Sequence, residues 1–258
     1  VRDLWPELPI AIGALKRKPE IRVARWLENF AYRKSNHVVA LSPGMKEGVV
    51  RAGYPEANIS VIPNSCDLDL FDISQEESKS FRSSYSWLED RPLVVYTGTL
   101  GHINGVGYLV EVAKWMRDIN PDIRFLIVGD GVEKETIKKQ ALDLNVLNKN
   151  LFLLSQVPKK DIVRILNAAD VATSLFVDLK EMWSNSANKF FDALSAGKPV
   201  MINYGGWQAD LLREYEAGIV VPPSDPKNAS MQLAELLVDK ERLQRLSISS
   251  RTLGKEMF

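Results

Sequence analysis

The chain has 258 residues, enough for one large or two modest domains, and 45% of them are apolar, an ordinary share for a protein with a real core. Lys plus Arg and Asp plus Glu number 33 each, so no global charge excess argues for a nucleic-acid partner. A single cysteine, Cys66, excludes an intramolecular disulfide and a thiolate zinc cluster, and no apolar run approaches the ~18 residues of a membrane span; the expected setting is cytoplasmic.

The chain opens with "VRDLWP", neither an initiator Met nor a signal peptide, which points to a fragment or a processed chain. Residues 16–34, "KRKPEIRVARWLENFAYRK", read as a helix in which Lys16, Arg17, Lys18, Arg22, Arg25, Arg33 and Lys34 oppose only Glu20 and Glu28. Such a patch is expected to attract anionic lipid, with Trp26, Leu27 and Phe30 as an interfacial face. In the alternative reading those three pack into the domain and the cations are simply solvated. A strand (37–42), a helix (43–52) and a strand (59–63) follow. Two strands cannot close a core of their own, so residues 1–63 read as the end of a domain. Residues 64–90, Ser-rich and charged, read as an interdomain linker. Within it "DLD", 67–69, has the spacing of an Asp-x-Asp metal site but lies away from any strand end, so no metal is expected there.

From residue 91 to 258, short Val/Ile/Leu runs alternate with amphipathic stretches, the pattern of an α/β domain. Strands are predicted at 93–98, 124–130, 151–155, 171–176, 200–204 and 219–223. Helices fall near 106–118, 132–144, 159–168, 187–196, 207–216, 228–238 and 240–252, giving a doubly wound parallel sheet of about six strands. Open α/β sheets bind ligands at the carboxyl ends of their strands, and the turns there are the first candidates. "GTLGHINGVGYL", 98–109, is Gly-rich and leads into a helix whose free N–H groups suit a phosphate; Gly98, Thr99, Gly101 and His102 are its candidates. It is neither G-x-G-x-x-G nor a Walker loop, which speaks against a nicotinamide-dependent dehydrogenase. "VGDGVEKE" reads as a stable strand-to-helix turn, and "SAGKPV" lacks the first glycine and the Ser/Thr of a Walker loop. In "NSANKFFDALSAGKPVMIN", 185–203, Phe190, Phe191 and Leu194 give the helix an inward side, and Gly197 and Pro199 end it. Lys189 and Asp192 share another side, either as a surface pair or as ligands for something bound.

Taken together, "HVVALSPGMKEGVVRAGYPEANISVIPNSCDLDLF", "VVYTGTLGHINGVGYLVEVAKWM", "FLIVGDGVEKETI", "LFLLSQVPKKDIVRILNAADV" and "KFFDALSAGKPVMINYGGWQADLLREYEAGIVVPPSDP" resemble a family 4 (group 1) glycosyltransferase of GT-B fold. The resemblance covers nearly the whole chain. It implies retaining transfer of a sugar from a nucleoside diphosphate sugar, UDP-sugar favoured, without cofactor or essential metal, between two Rossmann-like domains. The acceptor would be a glycan or lipid-linked glycan of a bacterial surface polysaccharide, at the inner membrane face. The family's paired glutamates fall on Ser184 and Asp192, the second implied to bind ribose. Its phosphate-clamp Arg and Lys fall on Thr99 and Asn104, so both cations are missing, and Lys189 is the expected replacement and the catalytic candidate. Backbone at Leu154 and Ser155 is implied in base recognition. The loop 182–188, with Ser184 and Asn188, would cover the diphosphate and sugar, or its serines would cap the helix. A nucleotide-sugar-binding module without catalysis is the competing reading.

Overall fold

The structure, a computed structural model, describes residues 1–258. The first region holds α1 (Glu7–Ala11), α2 (Lys18–Lys34), β1 (Val38–Ala40), α3 (Pro43–Arg51) and β2 (Ile59–Val61), with β1 and β2 parallel. After α4 (Leu68–Phe71) and α5 (Gln75–Ser83), strand and helix alternate through β3 (Leu93–Thr97), α6 (Gly107–Ile119), β4 (Arg124–Val128), α7 (Lys134–Asp143), β5 (Leu151–Leu154) and α8 (Lys159–Ala168). The alternation continues through β6 (Val171–Ser174), α9 (Asn188–Ser195), β7 (Val200–Ile202), α10 (Trp207–Glu214) and β8 (Gly218–Val220), and closes with α11 (Pro226–Val238) and α12 (Lys240–Met257).

The large sheet runs β5-β4-β3-β6-β7-β8, all parallel. β3 and β6 are buried along their whole length, which is why these strands read as unbroken apolar runs. Val94 and Tyr96 face a core built with α6, α7, α11 and α12, and Leu93 and Val95 face one built with α8, α9 and α10. Local chemistry sets the element ends. Ser42 accepts from the Met45 N–H and Pro43 opens α3; Asp225 accepts from the Asn228 N–H and Pro226 opens α11. Gly197, in the left-handed region at φ 62°, ends α9 before Pro199 leads into β7.

Residues 64–90, expected as the interdomain linker, pack against the large sheet. Phe71 and Leu88 are built into the second core, Trp87 stacks on Phe152 at 3.8 Å, and Asp67 caps α4 through the Leu70 N–H. The Arg82 guanidinium fastens α5 to the sheet, donating to the carbonyls of Ala168, Glu89 and Arg91 and to Asp170. These apolar anchors are few and spaced among serines and charges, so the packing of the segment left no pattern in the sequence.

The first region has a core of seven buried residues, while Val39 and Val61 on the other face of its two-stranded sheet are exposed. α2 buries Ala24 and Glu28 and exposes Val23, Trp26, Leu27 and Phe30; Trp26 and Phe30 stack at 5.6 Å. The residues read as an interfacial face therefore do not pack into the described chain. The region meets the large sheet through Asn64, which donates to the Ser186 carbonyl (2.6 Å) and Asn188 Oδ1 (2.8 Å). Ser42 Oγ also donates to the Ser184 carbonyl (2.5 Å). No helix is long and apolar enough to cross a membrane.

Candidate active site

The strand order reverses between β3 and β6, and in such sheets a crevice opens outside the carboxyl ends at that point. A cavity of about 450 Å³ lies there. Thr97, Gly98 and Thr99 line it from β3, Gly129 and Asp130 from β4, Gln156 and Val157 from β5 and Phe176 from β6. Ala187, Asn188, Lys189 and Asp192 close it from the start of α9, with Lys159 and Ile162 from α8 and Asn104 from the turn after β3. The turns after β3 and β4 meet backbone to backbone, Leu100 N–H donating to the Asp130 carbonyl at 2.9 Å. A Cβ on Gly129 would lie 1.9 Å from the Gly98 oxygen, so only glycine permits that approach.

Lys189 and Asp192 do not pair with each other. Lys189 Nζ lies 5.0 Å from the Tyr96 ring centre, 4.9 Å from that of Phe176, and donates to the Tyr96 hydroxyl at 3.3 Å. That hydroxyl donates in turn to the Thr99 carbonyl at 2.8 Å, which fixes the ring under the ammonium. Burial lowers the Lys189 pKa to about 8, and no carboxylate lies within ion-pair distance of it. The two rings hold it by cation–π attraction instead. The first N–H groups of α9, at Asn188 and Lys189, lack intrahelical partners and lie at the same wall, so ammonium, N–H groups and helix dipole all favour an anion there.

Asp192 is matched with Lys159, whose Nζ donates to Oδ1 at 2.6 Å. Burial raises the Asp192 pKa and the Lys159 ammonium works against that rise. Asp192 and Lys189 thus line the cavity from one helix, a carboxylate able to accept from hydroxyls and an ammonium suited to phosphates.

Of the residues read from the sequence, Gly98, Thr99, Asn188, Lys189 and Asp192 line this cavity, and five do not. His102 is turned outward, its ring 76% exposed and its Nδ1 2.5 Å from Glu133 Oε1. Gly101 does not line the cavity, and its N–H donates to Asn104 Oδ1 at 3.3 Å. Leu154 lines a separate cleft between α5 and α8, and its carbonyl accepts from Gly129 N–H. Ser155 is exposed and its Oγ accepts from Lys134. Gln156 and Val157, one and two residues further on, take the wall expected of Leu154 and Ser155. Ser184 sits against Gly44 of α3 and receives Ser42, so it joins the two regions. Neither Ser184 nor Ser186 caps α9; Asn185 Oδ1 accepts from the Ala187 N–H instead.

Lys159, Gln156, Tyr96 and Phe176 escaped sequence reading. Lys159 opens a helix after Pro158, where a lysine looks merely solvated, and Tyr96 and Phe176 look like core residues at strand ends. The decoys resolve as structure: Lys198 of "SAGKPV" donates to the Asn167 carbonyl at 2.7 Å, at the opposite end of the sheet from the cavity.

Residues 77–252 match the family model described as glycosyl transferases group 1, and residues 6–70 match glycosyltransferase family 4. The chain is 29% identical over 235 residues to the UDP-Gal:alpha-D-GlcNAc-diphosphoundecaprenol alpha-1,3-galactosyltransferase of Escherichia coli, covering 89% of this chain and 58% of that protein. It is 24% identical to the GDP-mannose-dependent alpha-(1-6)-phosphatidylinositol monomannoside mannosyltransferase of Mycolicibacterium smegmatis, covering 96% of this chain and 61% of that one. The chain thus spans about six-tenths of the length of these relatives. Among solved structures it superposes on Anabaena HepE in complex with UDP-glucose with TM-score 0.82 at 19% identity, over 100% of this chain and 67% of that one. At that identity the likeness establishes the GT-B fold.

Proposed function

Because the chain belongs to the group 1 glycosyl transferases, we propose that its cavity holds the nucleoside diphosphate of a sugar donor, a UDP-sugar before others. Within the longer protein, the sugar would then pass to a glycan or lipid-linked acceptor of a surface polysaccharide. The carrying observation is the placement of Lys189: an ammonium held between two rings at the N-terminus of α9, at the switch point of a six-stranded parallel sheet. The galactosyltransferase relative is named for a UDP-sugar and a diphosphoundecaprenol acceptor, and HepE is complexed with UDP-glucose; both support this donor.

On this reading Asp192 accepts the ribose hydroxyls, and the backbone at Gln156 and Val157 meets the base. The diphosphate lies against Gly98, Thr99 and the start of α9, with Asn188 near the sugar. Breaking the bond between the anomeric carbon and the diphosphate oxygen leaves charge on the diphosphate, which Lys189 and the α9 N–H groups stabilise. The diphosphate takes the acceptor hydroxyl's proton as that oxygen bonds to the same face of the anomeric carbon, so configuration is retained and no metal is used. Loss of one such charged donor costs ~3 kcal/mol of barrier.

Calorimetry of UDP with this chain in EDTA tests donor binding; binding that vanishes with chelator overturns the metal-free reading. Thr99 and Asn104, in place of two clamp cations, favour the second reading, a binding module without turnover. Turnover by the longer protein, lost in Lys189→Ala, decides for the enzyme.

A further inference from the structure

The donor-site reading leaves Lys159 without a role. Its ammonium is half-exposed at the cavity wall, 2.6 Å from Asp192 Oδ1 and 5.1 Å from the centre of the Phe71 ring. Phe71 is buried and belongs to α4, so a helix outside the α/β alternation supplies the floor on which the lysine rests. The contact occupies one oxygen of the carboxylate only. Oδ2 has no partner within the chain, and the Asp192 side chain is 20% exposed toward the cavity.

We propose that Lys159 is a positioning residue of the donor site, pinning one oxygen of the Asp192 carboxylate so that the other is presented to the ribose hydroxyls. The proposal rests on the reading of Asp192 as the ribose ligand. A carboxylate offers about four acceptor sites, so one oxygen can take the lysine while the other takes a hydroxyl. An ammonium contact also fixes a side chain that would otherwise rotate about two bonds, lowering the ordering cost when nucleotide arrives.

The electrostatics point the same way. Burial and the Asp67 carboxylate, which caps α4 nearby, push Asp192 toward its protonated form. The Cys66 thiol next to Asp67 is itself raised by burial and stays neutral. Lys189 on the same helix is turned to Tyr96, and Arg251 of α12 is turned to the Ser195 carbonyl and Asp72. Lys159 is thus the one cation in contact with Asp192. Without it, protonation of Asp192 moves toward neutral pH, and a protonated carboxyl is a poorer acceptor.

The test is UDP affinity of this chain from pH 5.5 to pH 8 for the parent, Lys159→Met, Lys159→Arg, Asp192→Asn and the Lys159→Met/Asp192→Asn pair, with circular dichroism reporting the fold. Lys159→Met is expected to lose ~10-fold affinity at pH 5.5, where a carboxyl without its ammonium partner takes up a proton more readily. The loss should shrink toward pH 8, Lys159→Arg should keep the parent profile, and Lys159→Met should add little in the Asp192→Asn background. An equal loss at every pH that persists in the Asp192→Asn background means that Lys159 acts on the ligand directly, and the proposal fails. No change in Lys159→Met fails it as well. Unchanged affinity in Asp192→Asn removes the ribose reading itself, and the proposal with it, by a distinct result.

Discussion

Lys189 is a cation with no anion beside it, and its environment predicts how donor binding responds to pH. Burial lowers its pKa to about 8, so the ammonium is present below that value and is lost as pH rises through it. UDP affinity should therefore hold from pH 6 to pH 7.5 and fall above pH 8, while Lys189→Met should bind ~10- to 100-fold more weakly below pH 7 and show no fall there, measured by calorimetry across the range. Asp192→Asn should cost ~1–3 kcal/mol of UDP binding and less with the 2′-deoxy nucleotide; equal losses would place the ribose elsewhere. Their place at the cavity was legible because both sit on one helix with a readable apolar side. Lys159 was not, since its meeting with Asp192 spans 33 positions and depends on α8 and α9 flanking one crevice. His102 was misread for the converse reason: the turns after β3 and β4 touch, and that contact hands the ring to Glu133.

Among the elements, α5 hangs on one side chain. Arg82 satisfies three carbonyls and shares Asp170 with the Leu93 N–H, tying α5 to the starts of β3 and β6. Arg82→Ala should destabilise the chain by ~2–4 kcal/mol in urea unfolding, because Asp170 is left half-buried without its cation. Arg82→Lys should recover only part of this, as one ammonium cannot reach four acceptors. At α2 the expected partner is a lipid surface: Val23, Trp26, Leu27 and Phe30 form an exposed stripe beside Arg22 and Arg33, with Lys34 over the Phe30 ring at 5.9 Å. Sedimentation of the full-length protein with anionic vesicles should show binding at low salt, reduced when Lys16, Arg17 and Lys18 become Gln. Binding that is absent, or indifferent to those changes, retires the idea. The alternating elements were readable because Gly and Pro punctuate them. α4 and α5 were not, since short helices carry too little periodicity to reveal a buried side.

For the whole molecule, the first region has the smaller core and carries a carboxylate that resists ionisation. Glu28 of α2 is buried, and burial, with the neighbouring Glu7 carboxylate adding to it, raises its pKa from 4.5 to about 7. The folded chain then holds a proton that the unfolded chain releases between those two values, so this group's contribution is intact below pH 4.5 and is lost as pH rises through 7. Glu28→Gln should raise Tm by ~2–4 °C at pH 8 and by less at pH 5 in a thermal melt followed at both. Asn64, Ser42 and Ser184 join the two regions through a few polar contacts that leave no pattern in the chain. The pair of rings around Lys189 has one more consequence, for the ions that compete with donor. A cation resting on aromatic faces is partly dehydrated, and an anion must shed water to reach it. Poorly hydrated anions such as thiocyanate and iodide should therefore displace UDP at lower concentration than chloride, and chloride at lower concentration than fluoride. Lys189→Met should erase that Hofmeister order.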